Sequence, residues 1–378
     1  MPASAPDRLL GGLTSSAFLR RYWQKRALLV RAAMPGFLGC VSKQSLFEWA
    51  GHDDVDSRIV VHERGVWSTR SGPFRRSDLR DLPSRDWTLL VHGVNLKSAA
   101  GDALLRRFSF VPYARLDDLM VSYAAPGGGV GAHFDSYDVF LLQGQGRRRW
   151  RVSAQHDLAL RPRLPLKILA RFKPTAECTL DAGDMLYLPP DHAHEGVALD
   201  ACITYSVGFR APSAQELGTA FLDCLRDSIE LAGTYADPDL APVHEPARIG
   251  ASMLARCASM LDSIRWDRAM VARFLGCHLT EPKPTVVFDA PIRTLPLARF
   301  AALASRRGVR LDPRSQFLYD HDALYVNGEA IRWPRGDAAP LKRLANARCL
   351  AGSDVHGAQL LRLLHLWYHD GYVDFDNP

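Results

Sequence analysis

No CxxC pair occurs in this chain: its seven cysteines (Cys40, Cys178, Cys202, Cys224, Cys257, Cys277 and Cys349) are scattered singly and odd in number. That spacing excludes a zinc clip and a dithiol redox motif and gives no disulfide framework, so a reducing cytoplasm is the expected setting. No stretch approaches the roughly 18 uninterrupted apolar residues of a membrane helix. The opening MPASAPDRLLGG lacks a basic segment followed by an apolar one, so neither export nor membrane insertion is expected. Internal repeats and low-complexity tracts are missing too, which sets aside solenoids and disordered tails.

What remains is an ordinary globular composition: 378 residues, 47% hydrophobic and 23% charged, with a mean hydropathy of -0.12. A chain of this length builds its cores unaided, so a metal site in it serves chemistry rather than folding. The net charge of +6 is uneven, because residues 141–173 carry nine Lys or Arg against one acid, Asp157, a local +8. Such a patch can meet nucleic acid. Runs like Arg147, Arg148, Arg149 and Arg151 are more often solvated strand faces.

The chain divides into four zones. Residues 1–86 mix a helix near Thr14, the strand-like ALLVR, a helix around QSLFEWAG and a β-type SRIVVH, an N-terminal lead-in to a larger sheet. Residues 87–212 read as short β-type runs (WTLLVHGV, DLMVSYA, DVFLLQG, RRRWRV, DMLYLPP, ITYSVGF) between Gly- and Pro-rich turns, the spacing of a barrel or sandwich. Residues 213–280 turn helical: Ser213 and Glu216 form a capping-box pattern, and Leu217, Phe221, Leu225 and Ile229 share one face. Two further helices are expected near 249–264 and 266–278. These apolar stripes fit a packed layer, and, lying outside a complete barrel, also a homodimer interface. Residues 281–378 open on the Pro-bracketed EPKPT, then predict a strand at VVFD, a helix over 295–306, a hairpin turning at Asn327 and Gly328, and two helices ending near Gly371. Helices plus a hairpin suggest a small winged-helix-like domain.

The chemistry centres on GGGVGAHFDSYDVF, followed 59 residues after Asp135 by PPDHAHEG. Residues two apart in a strand share a face, so His133 and Asp135 present an imidazole and a carboxylate to one point. A second His from a distant strand completes a 2-His-1-carboxylate set that leaves one face of an octahedral Fe(II) open. Structural zinc prefers four closed ligands. His192 and His194 compete for the third place; His194 is preferred because it starts the next β-run, while His192 lies nearer the Pro189-Pro190 turn and falls at the rim or behind the ligands.

Together, RYWQKR, DDLMVSYAAPGGGVGAHFDSYDVFLLQGQGRRRW, GDMLYLPPDHAHEG and YSVGFRAP resemble the JmjC-type oxygenases of the cupin superfamily, and within them the bacterial ribosomal oxygenases. The resemblance covers nearly the whole chain. It implies an α+β fold: a double-stranded β-helix core at 87–212, a helical dimerisation region at 213–280 and a C-terminal winged-helix-like domain at 281–378. It implies Fe(II) as cofactor, 2-oxoglutarate and O2 as co-substrates, and hydroxylation at the β-carbon of an arginine in large-subunit ribosomal protein sixteen.

Strand parity places Arg148 with Trp150 and Val152 on the inward face, and Arg147, Arg149 and Arg151 on the other. An unpaired buried guanidinium costs several kcal/mol in order of magnitude, so Arg148 must find an acid or a ligand. A protein carboxylate is one answer. The resemblance supplies the other, since related oxygenases place a basic residue at about this distance after the HxD to grip the distal carboxylate of 2-oxoglutarate. The same parity sets Thr204 and Ser206 opposite the apolar Ile203, Tyr205, Val207 and Phe209, and Met120 beside Ser122, as walls of that pocket. For the substrate, residues 117–138 hold four Asp and no Lys or Arg. Asp118 and Asp138, with Tyr137, could hold a cationic side chain; Asp117 and Asp118 could equally just end a loop. The resemblance favours Asp118 and Tyr137.

The alternatives are a histidine hydroxylase or a methyl-lysine demethylase on the same core, and a DNA-binding regulator with a cupin sensor. Acids in the last segment (Asp370, Asp374, Asp376) make the tail a poor recognition surface, and no specific DNA binding is expected.

Overall fold

A computed structural model describes residues 8–334, 336 and 338–376; the first seven residues, part of the segment inspected above for an export leader, lie outside them. By their contacts the residues group into two compact units. One holds the chain to Ala211 with Pro282–Ser315 and everything from Gly336; the other holds Pro212–Glu281 with Gln316–Arg335. No helix among the described residues is long and apolar enough to cross a membrane.

In the first unit the strands are β1 (Leu28–Val30), β2 (Ser57–Glu63), β3 (Val66–Ser71), β4 (Trp87–Val91), β5 (Leu116–Ala124), β6 (Val139–Gln145), β7 (Arg148–Ser153), β8 (Ala176–Leu180), β9 (Met185–Leu188), β10 (Ala193–Ala198) and β11 (Cys202–Phe209). One sheet runs β1-β9-β6-β11-β5-β4-β2-β3; the other runs β10-β7-β8. The expected β-runs of the core all form, and their alternation explains what each face meets. Every residue of β11 is buried. Its odd members, Ile203, Tyr205, Val207 and Phe209, enter a large core with Phe18, Phe108, Phe140 and Tyr187, under the helices of the lead-in. Each such side chain contributes about 1.5–3 kcal/mol.

The even members, Thr204 and Ser206, turn to the space between the sheets. There Val139, Leu141, Leu186 and Leu188 of the large sheet pack on Trp150 and Leu180 of the small one. Register then fixes the neighbours: Thr204 lies beside Ser122 and Ser206 beside Met120, while His194 lies beside Val152 and Ala198 beside Arg148.

The C-terminal part of this unit carries the helices Leu297–Arg307, Ala338–Ala347 and Ala358–His369 and a sheet with Val309–Leu311 between Cys349–Leu350 and Val373–Phe375. The strand expected at VVFD does not form. Tertiary contacts override its β-propensity: the Val287 carbonyl accepts from Arg314 Nη1 at 2.6 Å, and Phe288 packs edge-on against Tyr372.

The second unit has the helices Ala214–Ser228, Ala251–Leu261 and Arg268–Thr280 with a three-stranded sheet, Phe317–Tyr319, Ala323–Val326 and Glu329–Arg332. The capping box is made in both directions: Ser213 Oγ accepts from Glu216 N–H at 3.1 Å, and Glu216 Oε2 from Ser213 N–H at 2.7 Å. Asn327 (φ 50°) and Gly328 (φ 91°) turn the hairpin as expected.

Candidate metal centre and its cavity

His133 and His194 face each other across a single antiparallel bridge, with His133 N–H donating to the His194 carbonyl (2.9 Å) and His194 N–H to the His133 carbonyl (2.7 Å). His194 belongs to β10. His133 and Asp135 do not share a regular strand, which corrects the expectation: apart from that bridge, the chain between β5 and β6 is irregular. The preceding glycines are the cause. Gly129 lies so close to the Gly196 carbonyl that a Cβ would sit 2.5 Å from it, and Gly131 adopts φ +80°. Asp135 is held near the pair by its carbonyl, which accepts Asp191 N–H at 2.7 Å.

Both ring tautomers follow from the backbone. His133 Nδ1 lies 2.9 Å from the Gly131 carbonyl and His194 Nδ1 lies 2.8 Å from the His192 carbonyl. A carbonyl only accepts, so each Nδ1 carries the proton and each Nε2 presents a lone pair. The ligand atoms of His133, Asp135 and His194 all lie within 4.8 Å of one another, the one such three-residue group among the described residues. His194 Nε2 stands 3.7 Å from Asp135 Oδ2. Burial, with His133 beside it, pushes the His194 imidazole well below its ordinary pKa, and burial raises the Asp135 carboxyl. A His194 imidazole that burial keeps from protonating and a buried carboxylate beside it are what a divalent cation satisfies. The residues therefore fit a metal, and three ligands from one side match the facial set expected for Fe(II). His192 lies outside the cluster and acts through its carbonyl.

Arg148 lies in the same cavity as the three ligands and is 4% exposed. Its Nη1 donates to Ser122 Oγ (3.1 Å) and Thr204 Oγ1 (3.4 Å), and its Nη2 to the Gly196 carbonyl (3.3 Å). Thr204 spends its own proton on Gln143 Oε1 at 3.0 Å, which leaves its lone pairs to the guanidinium. No carboxylate of the described residues pairs with Arg148, and its Nε has no partner. Burial lowers the guanidinium's proton affinity. Gly196 makes room, since a Cβ there would lie 2.8 Å from Arg148 Nε. Met120 and Ser206 line the same cavity.

Asp118 and Tyr137 also line the cavity. Asp118 Oδ2 accepts Gly93 N–H at 3.1 Å and lies 3.4 Å from His92 Nδ1. Burial raises the Asp118 carboxyl, but His92, Lys283 and the Gly93 N–H together outweigh it and hold the group below its ordinary pKa. Tyr137 is 40% exposed and lines the cavity together with Asp135.

Asp138 must be withdrawn from the substrate site. It is fully buried, accepts from Tyr187 Oη at 2.6 Å and Gln24 Nε2 at 2.9 Å, and lies 3.6 Å from Arg115 Nη2. Its side chain locks the core. The basic run is also partly neutralised: Arg147 pairs with Asp200 at 2.9 Å and Arg151 with Glu195. The sequence reading missed Gln143 and His92 as lining or supporting groups; for His92 the signal was available, since it shares parity with Leu90.

A JmjC domain model matches residues 103–217 and a ROXA-like winged-helix model matches residues 263–374. The ribosomal protein uL16 3-hydroxylase of Escherichia coli strain K12 is 34% identical, across 95% of this chain and 97% of that protein. This chain belongs to the JmjC-type ribosomal oxygenases. A probable ribosomal oxygenase of Haemophilus influenzae is 37% identical across 60% of this chain and 55% of its own length. A solved structure of YcfD, a ribosomal oxygenase from Escherichia coli, in complex with cobalt and 2-oxoglutarate, superposes with a TM-score of 0.82 at 32% identity, covering 97% of this chain and 99% of that one. The JmjC match spans β5 to β11, and the ribosomal oxygenase fold accounts for this double-stranded β-helix and for the winged helix that follows.

Proposed function

We propose that this ribosomal oxygenase uses Fe(II) and 2-oxoglutarate to hydroxylate the β-carbon of an arginine in large-subunit ribosomal protein sixteen. The observation that carries the oxygenase reading is Arg148, a buried guanidinium without a carboxylate partner in the cavity that also holds His133, Asp135 and His194. A second anion belongs in that cavity, and a dicarboxylate that also chelates the metal satisfies both ends.

When bound, Fe(II) with 2-oxoglutarate and O2 supplies the oxidation, with succinate and CO2 as co-products and one oxygen atom entering the substrate's C–H bond. The chain's own residues position and protect. His133, Asp135 and His194 hold the metal; Arg148, Ser122 and Thr204 orient the distal carboxylate; Met120 and Ser206 shape the walls. Asp118 and Tyr137 hold the substrate guanidinium by a charge-assisted hydrogen bond and by the ring face. The pairing of Arg147 and Arg151 with acids favours this reading over a DNA-binding regulator.

Mass analysis of a ribosomal-protein peptide should show the gain of one oxygen, dependent on Fe(II) and 2-oxoglutarate. Replacing the target arginine by lysine should remove most turnover, because a point-charge ammonium does not reproduce the planar guanidinium. Equal turnover of both peptides would defeat the arginine assignment and leave the oxygenase chemistry standing.

The helices of residues 213–280 are proposed to form a homodimer. The helix Ala251–Leu261 buries none of its residues, and Leu254 and Leu261 are each 65% exposed. Light scattering at micromolar concentration should give a dimer, and Leu254→Glu with Leu261→Glu a monomer. A monomeric wild type would count against it.

A further inference from the structure

The two carboxylate oxygens of Asp118 have different neighbours. Oδ2 takes the Gly93 N–H and faces His92 Nδ1. Oδ1 receives no hydrogen bond from any described residue. It faces a slot at Gly208, where an added Cβ would lie 3.6 Å from Asp118 Oδ1 and 3.9 Å from Tyr137 Cε2. His92 follows the end of β4, its N–H bound to the Asp56 carbonyl at 2.9 Å, and its side chain lines the cavity at 40% exposure. The ionisable groups around its ring are Asp118 on β5, Asp56 just before β2, and Lys283.

We propose that His92 is a positioning residue for the substrate's cationic side chain: its Nδ1 occupies one oxygen of Asp118 and leaves the other for a guanidinium, and protonation of its ring opposes that guanidinium. The inference rests on Asp118 and Tyr137 being the substrate anchor, as argued above. A neutral His92 keeps Nδ1 against Oδ2 at 3.4 Å, orients the carboxylate and leaves its full negative charge available through Oδ1. A protonated His92 cancels that charge and places a second cation beside the incoming one. Burial works against the charged ring, but Asp118 and Asp56 outweigh it and raise the His92 pKa above its ordinary value. His92 is therefore charged below that raised pKa and neutral above it, so substrate affinity falls as the pH drops through it.

The test compares wild type with His92→Gln, whose amide can donate but does not titrate. Peptide binding is followed by fluorescence anisotropy between pH 6 and 8.5, with kcat and the KM for peptide and for 2-oxoglutarate alongside. Wild type should lose roughly tenfold in peptide affinity toward pH 6, the scale of one partly screened charge contact. His92→Gln should stay nearly flat across that range, the difference from wild type appearing in peptide affinity and in the KM for peptide. Coincident pH curves for the two proteins would overturn the role of His92. Asp118→Asn separates this from the underlying reading. If it leaves peptide binding intact, the anchor itself is wrong; if it weakens binding while the curves coincide, only the inference about His92 falls.

Discussion

Alanine in place of His194 should abolish succinate release and substrate oxidation, while alanine in place of His192 should leave both near the wild-type level. The two residues are two positions apart, and the difference lies in what each contributes. His194 offers the Nε2 lone pair that converges with His133 and Asp135. His192 offers only its backbone carbonyl, 2.8 Å from His194 Nδ1, and an alanine keeps that carbonyl. Losing one of three protein ligands removes the facial geometry, so His133→Ala and Asp135→Ala should be as inactive as His194→Ala. Calorimetric titration with Co(II) or Mn(II) separates lost metal from lost chemistry. Wild-type turnover in His194→Ala, with loss in His192→Ala, would move the third ligand to His192.

Arg148→Ala should raise the 2-oxoglutarate requirement steeply and leave metal affinity nearly unchanged. Removing one partner of a buried charged hydrogen bond costs about 2 to 5 kcal/mol, or roughly one and a half to nearly four decades in affinity. Arg148 spends its hydrogen bonds on Ser122, Thr204 and the Gly196 carbonyl, and none of them reaches the three ligand side chains. Arg147→Ala and Arg149→Ala should change the requirement little, since Arg147 lies outside β7 on Asp200 and Arg149 has the opposite parity to Arg148. Titration of 2-oxoglutarate against all three variants decides the matter. Three similar, modest losses would mean a diffuse basic patch, and Arg148 would have to give up its separate role.

What could be read in the sequence follows from how local each cause is. Arg148 was legible because β7 alternates regularly, so parity alone places a charge among Trp150 and Val152. Thr204 and Ser206 were legible for the same reason on β11. His133 and Asp135 were found through their spacing, although the strand geometry invoked for them is absent and glycine-permitted packing brings them together instead. Asp138 was misread because counting acids along the chain ignores direction. Its partners Gln24 and Tyr187 are distant in sequence, and no local pattern reveals them. VVFD failed for the same kind of reason, its carbonyl being claimed by Arg314.

In the ladder between β7 and β10, the pairs His194 with Val152 and Ala198 with Arg148 are rungs of one antiparallel register. A slip of a single residue would reverse the facing of every side chain on the shifted strand. Were β10 to slip, His194 would leave the ligand set and the Gly196 opening beside Arg148 would close; were β7 to slip, Arg148 would turn outward. An insertion or deletion inside either strand therefore strikes the metal and the co-substrate through the same ladder. The two binding positions on this ladder are coupled in their tolerance to change: neither strand can shift register at one without disturbing the other.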